Sequence, residues 1–560
     1  MNPKSRILGL LRKKVLILDG AMGTELHKRG LPPGVCPEAW SLANPAAVGD
    51  IHGAYREAGA DVVYTSTFGA NRLKMGQYGL TNVGETNRLL AEIATRAAGR
   101  GLVAGDIGPT GHFVEPFGDV PFDEAVAVFR EQAQGLLEGG VDLFVIETMM
   151  DIQEARAALI AVREVCDLFC MVTMTYEKHG RTLNGTDPVS ALVTLQSLGA
   201  DAVGCNCSAG PEGMLGLIAA MRPHATVPLV AKPNAGLPTL VGEDTVFDMD
   251  AARFAGFAAP LAAAGVNLMG GCCGTTPAHI RALRDSLVDV KPVAPDRHAA
   301  PAASSARNAV ILREGGPLAV IGGRLDAAGD ETLREGLLAG DFGPIRQAVR
   351  AQEKEGAQML LLKAGGAGLD ETRVTRELLE QIAPTTRSTF LLVADKVETV
   401  AQALRFYPGR LLVGVDGADA ASVLPVVAQY GAVPVLSIPA QGGRAAIRRA
   451  AADARKHGFA REGMIIDCTP AQINPATLRE AVAMIAWCEK SLRCRTLMNF
   501  TRVGQGLPEQ PWLQAGLLAA AQAAGLTLAV IDPAVAEPMR IRAAGDWLRL
   551  GGDSFSSGRT

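Results

Sequence analysis

The chain has 560 residues, which is too long for a single hydrophobic core, so its length predicts two or three domains. Charged residues make up 20% of the chain and hydrophobic residues 48%, as is typical of globular proteins. The net charge of -4 gives no reason to expect nucleic acid or an anionic membrane as partner, and no apolar run reaches the ~20 residues of a membrane helix.

In the N-terminal half, short aliphatic runs alternate with segments of helical periodicity. Apolar residues recur at helical spacing over 44–58, 122–137, 152–165 and 251–264. Continuously apolar strands separated by helices indicate parallel βα units that are buried on both faces, and eight such units match one closed barrel. We therefore predict a (β/α)8 barrel over 1–290. Its strands are expected to begin near Val15, Val62, Leu102, Leu143, Phe169, Ala202, Pro228 and Val266.

A Pro/Ala/Ser-rich stretch without periodicity follows, and we assign 291–312 to a linker. The alternation then resumes, with helical spacing over 342–355, 443–457 and 478–488. Eight further units predict a second TIM-type barrel over 313–560, although an open doubly wound sheet would give a similar alternation. Its strands are expected to begin near Leu318, Met359, Phe390, Leu411, Val433, Met464, Thr496 and Thr527.

Three cysteines follow predicted strands of the first barrel. Cys207 comes after the sixth strand, and the adjacent pair Cys272 and Cys273 comes after the eighth, within a glycine-rich GGCCG segment. Barrel active sites are built from such loops. Three thiolates around zinc leave one coordination position open for a substrate, and a thiol that takes this position is deprotonated. Thiolates are soft ligands, so zinc fits better than magnesium or calcium.

The ordinary alternative for a free cysteine is a small buried apolar side chain. Cys205 lies within the sixth strand, so we place it in the barrel wall rather than at the metal. The spacing of the ten cysteines does not resemble a secreted disulfide framework, which favours a reducing, cytoplasmic setting. We interpret six further cysteines as buried apolar side chains: Cys36, Cys166, Cys170, Cys468, Cys488 and Cys494.

Eight segments spread over the first 290 residues form a specific pattern: LDGAMGT (18–24), PEAW (37–40), TFGAN (67–71), GDIGPTG (105–111), IET (146–148), GRTLNGTDP (180–188), KPNAGLP (232–238) and GGCCG (270–274). In these segments the chain resembles the homocysteine S-methyltransferase family, and within it the homocysteine-binding domain of cobalamin-dependent methionine synthases. The resemblance implies that Cys207, Cys272 and Cys273 bind a catalytic Zn2+ that takes up the homocysteine thiolate. It also implies a methyltransferase that forms methionine.

The resemblance implies further substrate-binding residues at the same mouth. Asp19 and Glu147 end predicted strands and are expected to hold the ammonium group of an amino acid; without the resemblance, a helix cap or an ion pair is as good an interpretation. The backbone of 20–22 is expected to offer N–H groups to the substrate carboxylate. Ser66 replaces an asparagine of the family pattern. The full set is Asp19, Gly20, Ala21, Met22, Ser66, Glu147 and Asn234, the last of which could equally be an ordinary turn residue.

The second barrel resembles the pterin-binding domain of the same enzymes, but its folate motifs are altered. A strand that offers an acid and an amide to the pterin reads LLLK at 360–363, an asparagine of another strand reads Val413, and Arg502 stands where the family has asparagine. Asp416 and Asp467 remain. Unmatched buried polar groups cost ~1–3 kcal/mol each, so we expect no useful folate site and assign no cofactor-binding residues here.

The chain has no clear match to the cobalamin-binding motif of the family. The most similar segment, ELHKRG at 25–30, lies near the start of the first barrel, so we interpret it as a coincidence. Three hypotheses follow. The first is a homocysteine methyltransferase that takes methyl from methylcobalamin on a separate corrinoid protein. The second is the same chemistry with a small sulfonium or betaine donor, although an aromatic content of 5% argues against a cage for such a cation. The third is a non-enzymatic zinc- or homocysteine-binding scaffold whose second barrel docks a partner.

Overall fold

The computed structural model describes residues 3–207, 210–241, 244–296, 300–417, 419–437 and 443–551. The chain divides into two compact units, Met1–Ala299 and Ala300–Thr560. Each unit contains an eight-stranded parallel sheet with helices between the strands, which confirms the predicted α/β class with two barrels.

The first unit is built on eight parallel strands whose order, from one edge to the other, is β1-β10-β7-β6-β5-β4-β3-β2. A parallel bridge between Leu18 and Val62 links the two edge strands and nearly closes the barrel. Because all eight strands are parallel, their C-terminal ends meet at one mouth. The strands, together with an antiparallel hairpin formed by β8 and β9, are β1 (Leu16–Ile17), β2 (Val62–Tyr64), β3 (Leu102–Ile107), β4 (Leu143–Met149), β5 (Phe169–Met174), β6 (Ala202–Asn206), β7 (Leu229–Lys232), β8 (Pro238–Val241), β9 (Asp244–Phe247) and β10 (Val266–Met269).

The helices of the first unit lie between these strands and begin where sequence chemistry favours it. Asp151, for example, accepts a hydrogen bond from Gln153 N at the start of α8, and Asp187 accepts from Val189 N and Ser190 N at the start of α9. The helices are α1 (Pro3–Leu11), α2 (Met22–Lys28), α3 (Pro37–Ala43), α4 (Pro45–Ala58), α5 (Arg72–Gly76), α6 (Val83–Ala98), α7 (Phe122–Glu138), α8 (Ile152–Val165), α9 (Pro188–Ser197), α10 (Pro211–Met221), α11 (Ala251–Ala255), α12 (Ala258–Ala263) and α13 (Pro277–Ser286).

Helix α1 closes the end of the barrel opposite the mouth. Its buried residues Ile7 and Leu11 belong to one core cluster with the first residues of several strands, among them Leu102 and Leu143. Burial of such side chains contributes ~1.5–3 kcal/mol each. Side chains of α1 therefore cover the N-terminal end of the barrel.

The segment 251–264, predicted as one helix, is divided into α11 and α12. Gly256 follows the first of them, and glycine is unfavourable inside a helix. Pro260 lies in the first turn of α12, where its missing N–H group is tolerated; inside a single long helix it would break a hydrogen bond. The hairpin of β8 and β9 was also not predicted.

The second unit is a closed barrel in which each strand pairs in parallel with its sequence neighbours, and the last strand pairs with the first. The strands are β13 (Ala319–Asp326), β14 (Met359–Lys363), β15 (Thr389–Leu392), β16 (Leu412–Val415), β17 (Val433–Ser437), β18 (Ile465–Asp467), β19 (Arg495–Asn499) and β20 (Leu528–Ile531), preceded by a small sheet of β11 (Ala302–Ser304) and β12 (Ala309–Ile311). The helices are α14 (Glu331–Leu338), α15 (Gly343–Lys354), α16 (Glu371–Ile382), α17 (Val397–Phe406), α18 (Ala420–Gln429), α19 (Gly443–Lys456), α20 (Pro475–Trp487), α21 (Gln510–Ala523) and α22 (Ala536–Leu550).

Part of the segment predicted as a linker is folded. The strands β11 and β12 pair antiparallel, and Ser304 also bridges to Arg410 of the barrel. Ala303 and Leu312 belong to the core cluster of the second unit. These contacts anchor the segment from 302 onward to the second barrel, while 297–299 lie outside the described residues. Within the described part of the chain, no helix is long and apolar enough to cross a membrane.

Candidate zinc and substrate site

The three predicted cysteines meet at the mouth of the first barrel. Cys207 directly follows β6, and Cys272 and Cys273 follow β10, which is separated from β6 in the sheet by β7. Their sulfur atoms all lie within 4.8 Å of one another, and the Sγ atoms of Cys207 and Cys273 are 3.8 Å apart. The structure thus brings together thiols that are more than sixty residues apart in sequence.

The backbone of both loops is held to the intervening strand. Cys207 N donates to the carbonyl of Lys232 over 3.1 Å, and Cys272 N donates to the carbonyl of Pro233 over 2.8 Å. Cys207 has a φ of 61°, a left-handed conformation that is costly for residues other than glycine. At Gly271, a Cβ atom would lie 2.4 Å from Thr275 Oγ1, so the turn before the cysteine pair requires glycine.

The donor set and its spacing fit zinc. A tetrahedral zinc ion with Zn–S bonds of ~2.3 Å places its sulfur ligands ~3.8 Å apart, which matches the Cys207–Cys273 separation. Hydrogen bonding with Cys207 raises the pKa of the Cys272 thiol to about 11, and the same partner raises the pKa of Cys273. Cys272 and Cys273 therefore favour the thiol form near neutral pH when no metal is bound, and a metal ion must displace those protons.

A buried ion cluster lies beneath the cysteines. Lys232 Nζ is 3.2 Å from Asp19 Oδ1 and 3.7 Å from Glu147 Oε2, and it lies 3.4 Å from the centre of the Tyr64 ring. Tyr64 N donates to Asp19 Oδ2 over 2.7 Å. Burial alone would lower the pKa of Lys232, but the surrounding Tyr64, Glu147 and Asp19 raise it well above its ordinary value. The lysine is therefore a fixed positive charge.

Carboxylates outnumber cations in this cluster. Burial raises the pKa of Glu147 to about 7 against the opposing effect of Lys232, and burial followed by the Glu147 charge raises the pKa of Asp106 well above its ordinary value. Among the described residues, no hydrogen bond reaches Glu147 Oε2 or Asp106 Oδ1, although both atoms are buried. Glu147 Oε2 has the 3.7 Å ion pair with Lys232, and Asp106 Oδ1 has no hydrogen-bond partner among the described residues, so these two acceptors favour a further cationic ligand.

Asn206 and Thr148 connect the cluster to the cysteines. The Asn206 side chain bonds to Thr148 on both its oxygen and its nitrogen, and its Nδ2 atom lies 3.9 Å from Cys272 Sγ. Thr148 has a φ of 63°, which is rare for a β-branched residue.

The other predicted substrate residues have varied surroundings. Asp19 is engaged by Lys232 and Tyr64, as described above. Ala21 N donates to Thr275 Oγ1 over 3.2 Å, so this N–H is engaged within the chain. Ser66 Oγ is 3.1 Å from Ser41 Oγ of α3, so its hydroxyl pairs with a helix. Asn234 is buried, and no hydrogen bond among the described residues reaches its Oδ1 atom.

The backbone at residues 20–22 is tightly packed. A Cβ atom on Gly20 would lie 2.8 Å from both Thr275 Oγ1 and the Tyr55 hydroxyl, so this turn requires glycine. Tyr55 donates its hydroxyl to the carbonyl of Ala21 over 3.0 Å. Met22 begins α2. These contacts fix the loop beside the cysteine pair.

Lys232, Asp106, Asn206 and Thr148 were not predicted as site residues. The sequence did contain a signal for two of them. Lys232 ends the apolar strand LVAK and Asp106 lies within the buried strand LVAGDI, and a buried charge requires a partner or a ligand. Cys205 lies in the wall of the barrel as predicted. Burial raises its pKa to about 12, as expected of an inert thiol.

The mouth of the second barrel contains a cavity of about 550 Å3 at the ends of β13 and β19. Leu361 and Asn499 line it, and Leu361 also packs in the barrel core. The last residue of β19 is Asn499, whose Oδ1 accepts from Thr501 N and Thr501 Oγ1. Arg502, which stands where the resemblance expects an asparagine, lies in the following turn and lines the same cavity.

Several known proteins are similar to this chain. Residues 16–287 match the homocysteine S-methyltransferase family model. The chain is 32% identical over 476 residues to methionine synthase of Mycobacterium tuberculosis and 30% identical over 475 residues to that of Mycobacterium leprae. Each match covers 78% of this chain but 39% of the relative, so the chain spans about two fifths of the curated relatives' length.

Two solved structures also resemble it. The metallated form of the homocysteine methyltransferase MmuM from Escherichia coli is 26% identical, with a TM-score of 0.44, over 51% of this chain and 99% of that one. A dihydropteroate synthase from Stenotrophomonas maltophilia is 17% identical, with a TM-score of 0.35, over 45% and 99%. The family match covers nearly all of the first barrel, so the segment 16–287 is similar to the homocysteine S-methyltransferase family over that range.

Proposed function

We propose that the first unit binds zinc through Cys207, Cys272 and Cys273 and transfers a methyl group to the sulfur of homocysteine, forming methionine. The observation that carries this proposal is the convergence of three sulfur atoms within 4.8 Å at the barrel mouth. When bound, zinc would supply Lewis acidity that keeps a fourth, substrate sulfur deprotonated at neutral pH. Three protein ligands leave that fourth position open.

The buried carboxylates suit the ammonium group of the amino-acid substrate. Glu147 and Asp106 each present a buried oxygen without a hydrogen bond from the described residues, and Lys232 is the cation that faces the cluster at close range. An ammonium group would supply the missing positive charge and N–H donors. Asp19 is held by Lys232 and Tyr64 N, so we assign it to the support of this cluster rather than to direct contact.

The chain's own residues bind and orient the substrate in this mechanism. Holding the ammonium group at Glu147 fixes the homocysteine chain so that its sulfur can reach the cysteine trio. The sulfur lone pair then forms a bond with the methyl carbon, and the donor departs with the electrons of the bond that breaks. Such a displacement requires sulfur and carbon to approach within about 3–3.5 Å in line.

For the donor, we propose methylcobalamin carried by a separate corrinoid protein. The support is the similarity to methionine synthases, of which the chain spans 39%, together with an aromatic content of only 5%, too low to suggest an aromatic cage for a quaternary ammonium donor. The altered second barrel would serve as a docking surface for the corrinoid protein. A reducing, cytoplasmic compartment would keep the three thiols available to the metal.

A parallel methyl-transfer assay tests this proposal. The zinc-loaded full chain receives homocysteine with methylcobalamin, methyltetrahydrofolate, betaine or S-methylmethionine, and methionine is quantified. We expect slow turnover with free methylcobalamin, faster turnover with a methylated corrinoid protein, and none with Cys273→Ser. Turnover with betaine or S-methylmethionine alone would overturn the donor assignment. Absence of methionine from every donor would contradict the proposed activity.

A further inference from the structure

Asn206 uses all four hydrogen-bonding positions of its side-chain amide. Its Oδ1 accepts from Thr148 N and from Thr173 Oγ1, both over 2.8 Å. Its Nδ2 donates to Thr148 Oγ1 over 2.7 Å and faces Cys272 Sγ at 3.9 Å. An asparagine amide offers two acceptor positions and two donor hydrogens, so this network is complete.

The orientation of this amide is fixed by its partners. The backbone N–H of Thr148 can only donate, so it must face the amide oxygen of Asn206 rather than the nitrogen. If the Asn206 amide were flipped, its NH2 group would face the N–H of Thr148, which is also a donor. Its oxygen would then face Cys272 Sγ. The N–H group is therefore directed at Cys272 Sγ.

Asn206 also lies between two residues with strained backbones. It directly precedes Cys207, which has a φ of 61°, and it is hydrogen-bonded to Thr148, which has a φ of 63°. Such conformations cost of order 1–3 kcal/mol each and persist where surrounding contacts over-determine them. The paired bonds between Asn206 and Thr148 are such contacts, and they tie the end of β4 to the loop that carries Cys207.

We propose that Asn206 is a positioning residue of the metal site, which donates an N–H···S hydrogen bond to the Cys272 thiolate. This inference rests on the proposed function, because it assumes that the cysteine trio holds a metal. Hydrogen bonds to charged acceptors are about twice as strong as neutral ones, so this contact favours the thiolate over the thiol. It also withdraws electron density from the sulfur and fixes the direction from which Cys272 meets the metal.

The expected size of the effect follows from how such contacts act in other metal sites. Removal of a hydrogen bond to a ligand typically weakens metal affinity by about 10–100-fold. We expect Asn206→Ala to weaken zinc binding within that range. In the cobalt-substituted protein, the sulfur-to-cobalt charge-transfer band should move to longer wavelength, because a sulfur without its hydrogen bond gives up an electron more readily.

The test uses the full chain loaded with Zn2+ or Co2+. Asn206→Ala removes the whole amide, whereas Asn206→Asp keeps an oxygen for Thr148 N and Thr173 and replaces the donor by an acceptor when measured at pH 8. Thr175→Val is the matched control, since Thr175 Oγ1 donates over 3.0 Å to the backbone carbonyl of Asn206 and leaves its side chain untouched. Zinc affinity is measured by chelator competition, and folding by circular dichroism.

We expect both Asn206 variants to shift the cobalt band and Thr175→Val to keep the wild-type band and, within about threefold, the wild-type zinc affinity. If Asn206→Ala fails to fold, Asn206→Asp decides the question. Folded Asn206 variants with the wild-type band and affinity would overturn this proposal alone. A wild-type chain that binds no stoichiometric metal would overturn the proposed function as well.

Discussion

Lys232→Met is the perturbation that bears most directly on the buried ion cluster. The Lys232 side chain is 3% exposed and lies within 4 Å of carboxylate oxygens of both Asp19 and Glu147. Removing one partner of a buried ion pair typically costs ~3–5 kcal/mol, because the remaining charge is left without compensation. Methionine keeps most of the side-chain volume, so the loss of charge is the main change.

The titration of Glu147 limits how much of this cost that residue can carry. Burial already raises the pKa of Glu147 to about 7 in the wild-type chain, so at pH 7 Glu147 is partly protonated and its full protonation adds little further cost. Asp19 loses its buried counter-charge as well. We therefore expect Lys232→Met to destabilise the first unit by about 3 kcal/mol at pH 7, the lower end of the range for a broken buried ion pair, and by less at pH 5, where carboxyl groups are protonated more readily.

Urea unfolding followed by pulsed hydrogen exchange and mass spectrometry measures the free energy of unfolding of the first unit, since the method reports on peptides of that unit separately. Lys14→Met is the matched control, because Lys14 pairs with Asp61 over 2.6 Å but its side chain is 48% exposed. Exposed pairs contribute about 0–1 kcal/mol, so the control should stay close to wild type at both pH values. A Lys232→Met protein as stable at pH 7 as the control would refute the charge argument.

Three further predictions follow from the two barrels. Cys273→Ser should lose stoichiometric zinc while Cys468→Ser keeps it; metal analysis showing zinc in both would exclude the cysteine trio as the site. The full chain should show no micromolar binding of methyltetrahydrofolate by calorimetry, because Leu361 is apolar and packs in the second barrel's core and Lys363 places a charge at the mouth; a clear micromolar dissociation constant would refute this. Burial raises the pKa of Glu154 from 4.5 to about 7, so its ionisation destabilises the folded state as pH rises through that window. Glu154→Gln should therefore increase the free energy of unfolding by up to about 3 kcal/mol over wild type at pH 8 and by little at pH 5. Urea unfolding that gives the same difference at both pH values would contradict the raised pKa of Glu154.

The fold was readable from sequence because parallel barrel strands are buried on both faces. Each of the sixteen barrel strands begins within one residue of its predicted start. The failures have local causes: Pro260 divides a helix that periodicity alone made continuous, and residues 302–312 are apolar enough to pack on the barrel although their composition is that of a linker.

The site was partly readable for a different reason. The cysteines stand at strand ends, where parallel topology alone brings them together. Lys232, Asp106 and Asn206 interact across strands that are distant in sequence, and only the register of the barrel shows which charges meet. For Ser66, nothing in the sequence indicated its partner, Ser41 of α3, and its place near the substrate stays a prediction.

X-ray absorption spectroscopy at the zinc edge counts the sulfur ligands of the bound metal directly. We expect three sulfur ligands near 2.3 Å in the zinc-loaded full chain, and four after addition of L-homocysteine. Homocysteine that leaves the sulfur count unchanged, or a zinc ion with fewer than three sulfur ligands at the start, would contradict the claim that the cysteine trio holds a metal with an open position for the substrate thiolate.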